Sequence, residues 1–87
     1  MSWKNVSYVI ASKTRRAIIL KMEYPRIPTF LAKDLNINLA NVSRALTELE
    51  DKGIVVCLTP KRRVGKIYSL TKKGKDVLAK IKKMEQK

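Results

Sequence analysis

Between Asn38 and Lys52 the apolar residues Leu39, Val42, Ala45, Leu46 and Leu49 recur at intervals of three and four. That spacing predicts a helix buried along one side. Ala40, Asn41, Ser43, Arg44, Thr47, Glu48 and Asp51 fall on its other side. Asn38 is placed to cap the first turn, since its side-chain oxygen can accept a free backbone N–H. Gly53 stands just past the last turn, where a left-handed residue commonly ends a helix. The same period appears upstream. Trp3, Val6, Val9 and Ile10 predict a short helix within Met1–Ala11. Ser12 is placed to cap the next helix, from Lys13 to about Tyr24, which buries Ala17, Ile18, Ile19 and Met22. Pro25 and Pro28 interrupt the chain. A further helix starts at Pro28 or Thr29 and ends at Leu35, with Phe30, Leu31 and Leu35 turned to the core.

Asn36-Ile37-Asn38 then forms a tight turn, with Asn36 in the left-handed conformation that asparagine tolerates best after glycine. Two short helices joined by such a turn make a helix-turn-helix. After Gly53 the period changes. Ile54–Leu58 is β-branched and apolar, which predicts a strand, and Lys66–Leu70 predicts a second. The intervening Thr59–Gly65 carries Pro60 and Gly65 and closes a hairpin. Thr71 is placed to cap a last helix from Lys72 to about Glu85. Val77, Leu78, Ile81 and Met84 form its apolar stripe, and Gly74 in its first turn allows close packing. The expected fold is α+β, mainly α, with a two- or three-stranded wing, in one domain spanning residues 1–87.

Charge adds the first functional signal. The 87 residues hold 20 Lys and Arg against 7 Asp and Glu, a net charge of +13. Such a field attracts polyanions, with nucleic acid first and an anionic membrane surface second. Its distribution sharpens this. The exposed edge of the 38–52 helix is small and hydrogen-bonding over its first turns, while Glu48, Glu50 and Asp51 lie in the last ones. Short side chains there let a helix backbone enter a DNA major groove, and Arg44 can reach a guanine edge or a phosphate. Asn38, Ala40, Asn41, Ser43, Arg44 and Thr47 are the candidate contacts on this helix. Thr29 and Lys33 of the preceding helix are placed to meet a phosphate at its N-terminus. Lys61, Arg62, Arg63 and Lys66 crowd the hairpin tip without an acid, which points to the backbone or the minor groove. A charged loop also blunts a sheet edge, so charge alone does not decide the matter.

The chemistry that is absent narrows the field. The sequence has no histidine and a single cysteine, Cys57, so it expects no internal disulfide, no zinc centre and no other metal. It offers no phosphate-binding glycine loop, nucleophile elbow or carboxylate pair, and neither an enzyme nor a cofactor is expected. Cys57 is expected to be a small buried hydrophobe. With no apolar run long enough for a bilayer and no convincing leader, the expected place is the cytoplasm, at the nucleoid. A small domain gains stability by pairing with a second copy. Trp3, Val6, Val9 and Ile10 of the first helix and Val77, Ile81 and Met84 of the last are the candidate dimer contacts, although each set can instead complete the core.

Four strings add a resemblance. Leu31-Ala32-Lys33-Asp34-Leu35-Asn36-Ile37 looks like the LAxxLxI of a second helix and turn, and Asn41-Val42-Ser43-Arg44-Ala45-Leu46 like the xVSRxL of a recognition helix. Leu49-Glu50-Asp51-Lys52-Gly53-Ile54-Val55 looks like LExKGLV, and Tyr68-Ser69-Leu70-Thr71-Lys72-Lys73-Gly74 like YxLTxxG. Together with Ser12-Lys13-Thr14-Arg15 they resemble winged helix-turn-helix regulators of the MarR and ArsR types, especially small archaeal ones. The resemblance implies a homodimer on double-stranded DNA, with Ala40, Asn41, Ser43, Arg44 and Thr47 facing the groove and Arg62 and Arg63 at the wing tip. The Cys and His ligands of ArsR-type metal sensors are missing, and the chain is short for a MarR-type ligand pocket. Two alternatives stay open: a non-specific architectural DNA binder and a winged-helix protein-interaction module. RNA fits less well, because a deep RNA major groove excludes a helix.

Overall fold

The computed structural model describes residues 3–85. The helices are α1 (Trp3–Ile10), α2 (Lys13–Leu20), α3 (Pro28–Leu35), α4 (Leu39–Asp51) and α5 (Lys72–Glu85). Between α4 and α5 lie β1 (Val55–Cys57) and β2 (Tyr68–Leu70), which pair antiparallel with Val55 opposite Leu70 and Cys57 opposite Tyr68. The fold is therefore mainly helical with a two-stranded hairpin, as the change of period predicts. An isolated bridge ties the Pro25–Pro28 break to β2. The Arg26 N–H donates to the Tyr68 carbonyl at 2.9 Å and the Tyr68 N–H donates back at 2.8 Å.

The predicted caps form. Ser12 Oγ accepts the Arg15 N–H, and Asn38 Oδ1 accepts the Ala40 N–H at 2.7 Å. Thr71 Oγ1 accepts the Gly74 N–H at 3.0 Å and donates toward the carbonyls of Gly53 and Ile54. One hydroxyl thus joins the end of α4, the start of β1 and the first turn of α5. Pro28 takes the first position of α3, where its missing N–H costs nothing. Asn36 adopts φ 55° and ψ 48°, which turns the chain sharply from α3 into α4. Gly53, at φ +73°, turns it again from α4 into the wing.

One core joins these elements. Val6 and Val9 of α1, Ile18 and Ile19 of α2, Leu31 of α3 and Val42, Ala45, Leu46 and Leu49 of α4 are buried together. Ile54, Val55, Leu70, Val77, Leu78 and Ile81 complete it from the hairpin and α5. Burying each large aliphatic side chain contributes about 1.5–3 kcal/mol. This core holds α4 by one side only and leaves its other edge in solvent.

Several expectations need correction. Helix α2 stops at Leu20 rather than near Tyr24. Lys21 and Met22 bond to carbonyls three residues back, tightening the end, and Pro25 disfavours a helical Tyr24. The strands are shorter than the apolar runs. The Ile54 carbonyl is taken by Thr71, and the Ile67 N–H bonds to the Thr59 side chain instead of the ladder. Phe30 is exposed, with the Arg26 guanidinium 4.5 Å from its ring centroid. Cys57 is half-buried rather than fully enclosed. Of the candidate dimer contacts, Val6, Val9, Val77 and Ile81 are at most 1% exposed, because α1 and α5 spend that stripe on the chain's own core. Trp3, Ile10 and Met84 remain exposed. No described helix is long and apolar enough to cross a membrane.

Candidate nucleic-acid interface

The edge of α4 that the core leaves free has two flanks. On one side, Leu39 and Ser43 share a cleft of about 340 Å³ with Pro28 and Thr29 of α3. Arg63, Val64, Gly65, Lys66 and Tyr68 form the opposite wall. The basic wing and the first turns of α4 therefore bound the same opening. On the other side, Asn41 and Arg44 line a smaller cleft of about 170 Å³ with Ser12 and Thr14 at the start of α2. Ala40 is exposed at the start of this edge and Thr47 is exposed further along it. The Thr47 hydroxyl donates to the Ser43 carbonyl at 3.0 Å, which leaves its oxygen able only to accept.

The wing is held in place from its base. The Leu58 N–H donates to the Ile67 carbonyl at 2.7 Å, one bond beyond the strands. Thr59 works twice, accepting the Ile67 N–H on its hydroxyl and the Arg62 N–H on its carbonyl. Gly65 sits at φ +69°, a conformation that a side chain would strain, and closes the loop. Lys61, Arg62 and Arg63 are exposed and Lys66 is half-buried against the cleft. Burial raises the Tyr68 hydroxyl above its usual range, and Cys57 and Glu50 add to the effect. Its phenol therefore stays neutral at physiological pH.

Four of the described acids are paired within the chain. Glu48 is held by Arg15 at 3.3 Å, Asp34 by Lys21 at 3.0 Å, Glu23 by Lys82 at 2.6 Å, and Glu85 by Arg16. The Lys82 ammonium holds the Glu23 carboxyl below its usual range, first through a hydrogen bond and then through charge. Among the described residues Lys33, Arg44, Lys61, Arg62, Arg63 and Lys66 join none of these ion pairs. These six lie on α3, the early turns of α4 and the wing, although Lys13, Arg26, Lys52 and several lysines of α5 also join none of these pairs, and Glu48 lines the smaller cleft beside Arg44. Such an arrangement suits a polyanion, whose phosphates the cations can meet without first breaking an internal pair.

Thr29, Ser43, Arg63 and Lys66 are brought together by the larger cleft, and Asn41 and Arg44 by the smaller one. Asn38, Lys33, Lys61 and Arg62 are exposed outside both. Leu39, Val64, Tyr68, Ser12 and Thr14 line these clefts although the sequence did not single them out as contacts. The available signal for Leu39 was its place in the first turn, at the border of the apolar stripe. Tyr68 and Val64 carried no such signal, since their position depends on how the hairpin folds back.

A model of the winged helix-turn-helix family matches residues 12–87. The chain belongs to the winged helix-turn-helix family. No curated protein matches the sequence significantly. Among solved structures, this winged-helix chain is similar to a MarR family transcription regulator, SP03579, with a TM-score of 0.77 over 94% of its length and 22% identity. At that identity the likeness concerns the fold. It is also similar to the transcriptional repressor CouR bound to a 23-mer DNA duplex, at a TM-score of 0.73, 28% identity and 94% coverage. ZitR of Lactococcus lactis, as its C30AH42A mutant, superposes with a TM-score of 0.72 at 27% identity over 83% of the chain. The winged-helix chain spans 56% of SP03579, 63% of CouR and 51% of ZitR.

Proposed function

We propose that this winged-helix chain is a transcription regulator of the MarR type that binds a specific site on double-stranded DNA as a homodimer. The observation that carries the reading is the shared cleft, in which Ser43 of α4 faces Arg63 and Lys66 of the wing. A duplex whose major groove receives α4 then presents the neighbouring backbone or minor groove to the wing. In this reading Ala40, Asn41, Ser43, Arg44 and Thr47 meet base edges. Thr29, Lys33, Asn38, Lys61, Arg62 and Lys66 meet the backbone. Arg63 follows the wing into the minor groove. CouR, similar in fold, is a repressor crystallised with a DNA duplex, which supports this choice of partner.

Dimerisation is assigned to the face that keeps Trp3, Ile10 and Met84 in solvent. Exposing a tryptophan and two aliphatic side chains on adjoining helices is unfavourable for an isolated domain, and a second copy would cover them. Two α4 helices would then enter successive major grooves about one helical turn apart. The activity proposed is binding rather than catalysis, within the cytoplasm at the nucleoid.

Selection from a random pool of duplexes, with the mass of the complex measured alongside, tests the proposal. The expected result is an inverted repeat with half-sites about one turn apart, bound by two chains. The net charge of +13 also suits a sequence-independent architectural binder. That reading returns base composition only, and such an outcome would replace the proposal.

A further inference from the structure

Leu39 is out of place for a core residue. The helical period assigns it to the buried stripe, yet it is 45% exposed, whereas Val42, Leu46 and Leu49 of the same helix are fully enclosed. The first turn is capped by Asn38, so Leu39 is not needed there as a polar cap. It lies one helical turn before Ser43 and lines the same cleft, with Arg63 and Lys66 on the far wall. An apolar side chain is thus set at the leading edge of a helix among uncompensated cations. Ala40, next to it and also exposed, adds a second methyl group without a hydrogen-bonding atom.

In a DNA major groove, the base-edge group that matches an apolar side chain is the thymine 5-methyl. The cations flanking the cleft suit a phosphate-bearing partner. The leucine then selects which base edge of that partner can sit against it. We propose that Leu39 is a specificity-determining residue that reads thymine in each half-site through its 5-methyl group. The inference rests on the DNA-binding reading above and adds to it a base, a residue and the kind of contact. Arg44, on the opposite flank of the helix, reads a different base pair by hydrogen bonding.

The test uses the duplex obtained by selection and replaces its thymines one at a time with deoxyuridine. Uracil keeps every hydrogen bond of thymine and lacks only the methyl. With the unaltered protein, one position per half-site loses roughly fourfold in affinity, the equivalent of leaving one methyl group unburied. Leu39→Ala binds the thymine and uracil duplexes equally, with an unchanged salt dependence. Leu39→Met, of similar volume and still apolar, keeps the preference. The exposed position makes both variants compatible with folding, and their melting temperatures check this. Absence of any uracil-sensitive position in the unaltered protein overturns the inference while leaving DNA binding intact. So does a Leu39→Ala protein that still discriminates. If selection yields only base composition, or no duplex is bound, the specific DNA-binding reading falls and this inference falls with it.

Discussion

Gly74 offers the sharpest test of how the wing is anchored. It is buried in the first turn of α5, against the carbonyl of Ile54 where α4 gives way to β1. A methyl group added there would overlap the Ile54 carbonyl oxygen and stand 3.0 Å from Leu70 Cδ2. The Ile54 oxygen is backbone and already accepts the Thr71 N–H at 3.1 Å, so it cannot swing aside freely. Gly74→Ala must push α5 away from the hairpin or break that bond. Overpacking of this kind costs about 1–3 kcal/mol. A lost hydrogen bond adds about 1 kcal/mol. Alanine's better helix propensity returns about 1 kcal/mol. The net is a destabilisation of about 1–3 kcal/mol, so the melting temperature followed by circular dichroism falls by about 5–20 °C in a domain this size. An unchanged or raised melting temperature would show that propensity outweighs the clash, and the close approach of α5 to Ile54 would be wrong.

Other consequences are equally specific. Arg44→Ala should lower the preference for the selected site by about 1–3 kcal/mol, whereas Arg62→Ala should weaken all duplexes about equally and reduce the salt slope by about one; identical losses for both variants on every sequence would refute this division of labour. If a dimer neutralises roughly 6–10 phosphates, filter binding should show affinity falling by about three to five decades between 50 and 200 mM salt. A flat response would remove the phosphate contacts from the account. Arg15 donates to the Tyr8 carbonyl at 2.7 and 2.9 Å, lies 3.9 Å from the Tyr8 ring centroid and pairs with Glu48. Urea unfolding of Arg15→Ala should show a loss of about 1.5–3 kcal/mol, the usual scale for hydrogen bonds made by a charged group. Because the sequence has no histidine, DNA affinity should stay level between pH 6 and 8. A steep change in that window would require a titrating group that the proposed contacts do not contain.

The helices, caps and turns were legible because each depends on residues close together in the chain. Ser12, Asn38 and Thr71 could be placed as caps, and Asn36 and Gly53 as turning points, from local chemistry alone. The bridge between Arg26 and Tyr68 was not legible, since it forms only when the hairpin folds back on the segment before α3. Periodicity also misplaced Leu39 and Phe30. It names the apolar side of a helix but not where neighbouring elements stop covering it, and both residues lie in the first turn of a helix that packs only partway along its length. Val6, Val9, Val77 and Ile81 show the same limit from the other direction: an apolar stripe suits a core and a dimer equally until the packing is known. The basic residues of the wing were evident from composition. That Arg63 and Lys66 share a single cleft with Ser43 depends on the geometry of the turn at Gly53 and the anchoring of Thr71.

The central claim is that the edge of α4 and the basic wing engage one duplex together. Hydroxyl-radical footprinting and guanine-methylation interference on the selected duplex test it most directly, comparing the unaltered protein with the Lys61→Ala, Arg62→Ala, Arg63→Ala triple variant. The account predicts interference in the major groove of each half-site for both proteins, with backbone protection on the flank of the half-site that disappears only in the variant. Flanking protection that survives in the variant, or a major-groove pattern absent from the unaltered protein, would contradict it.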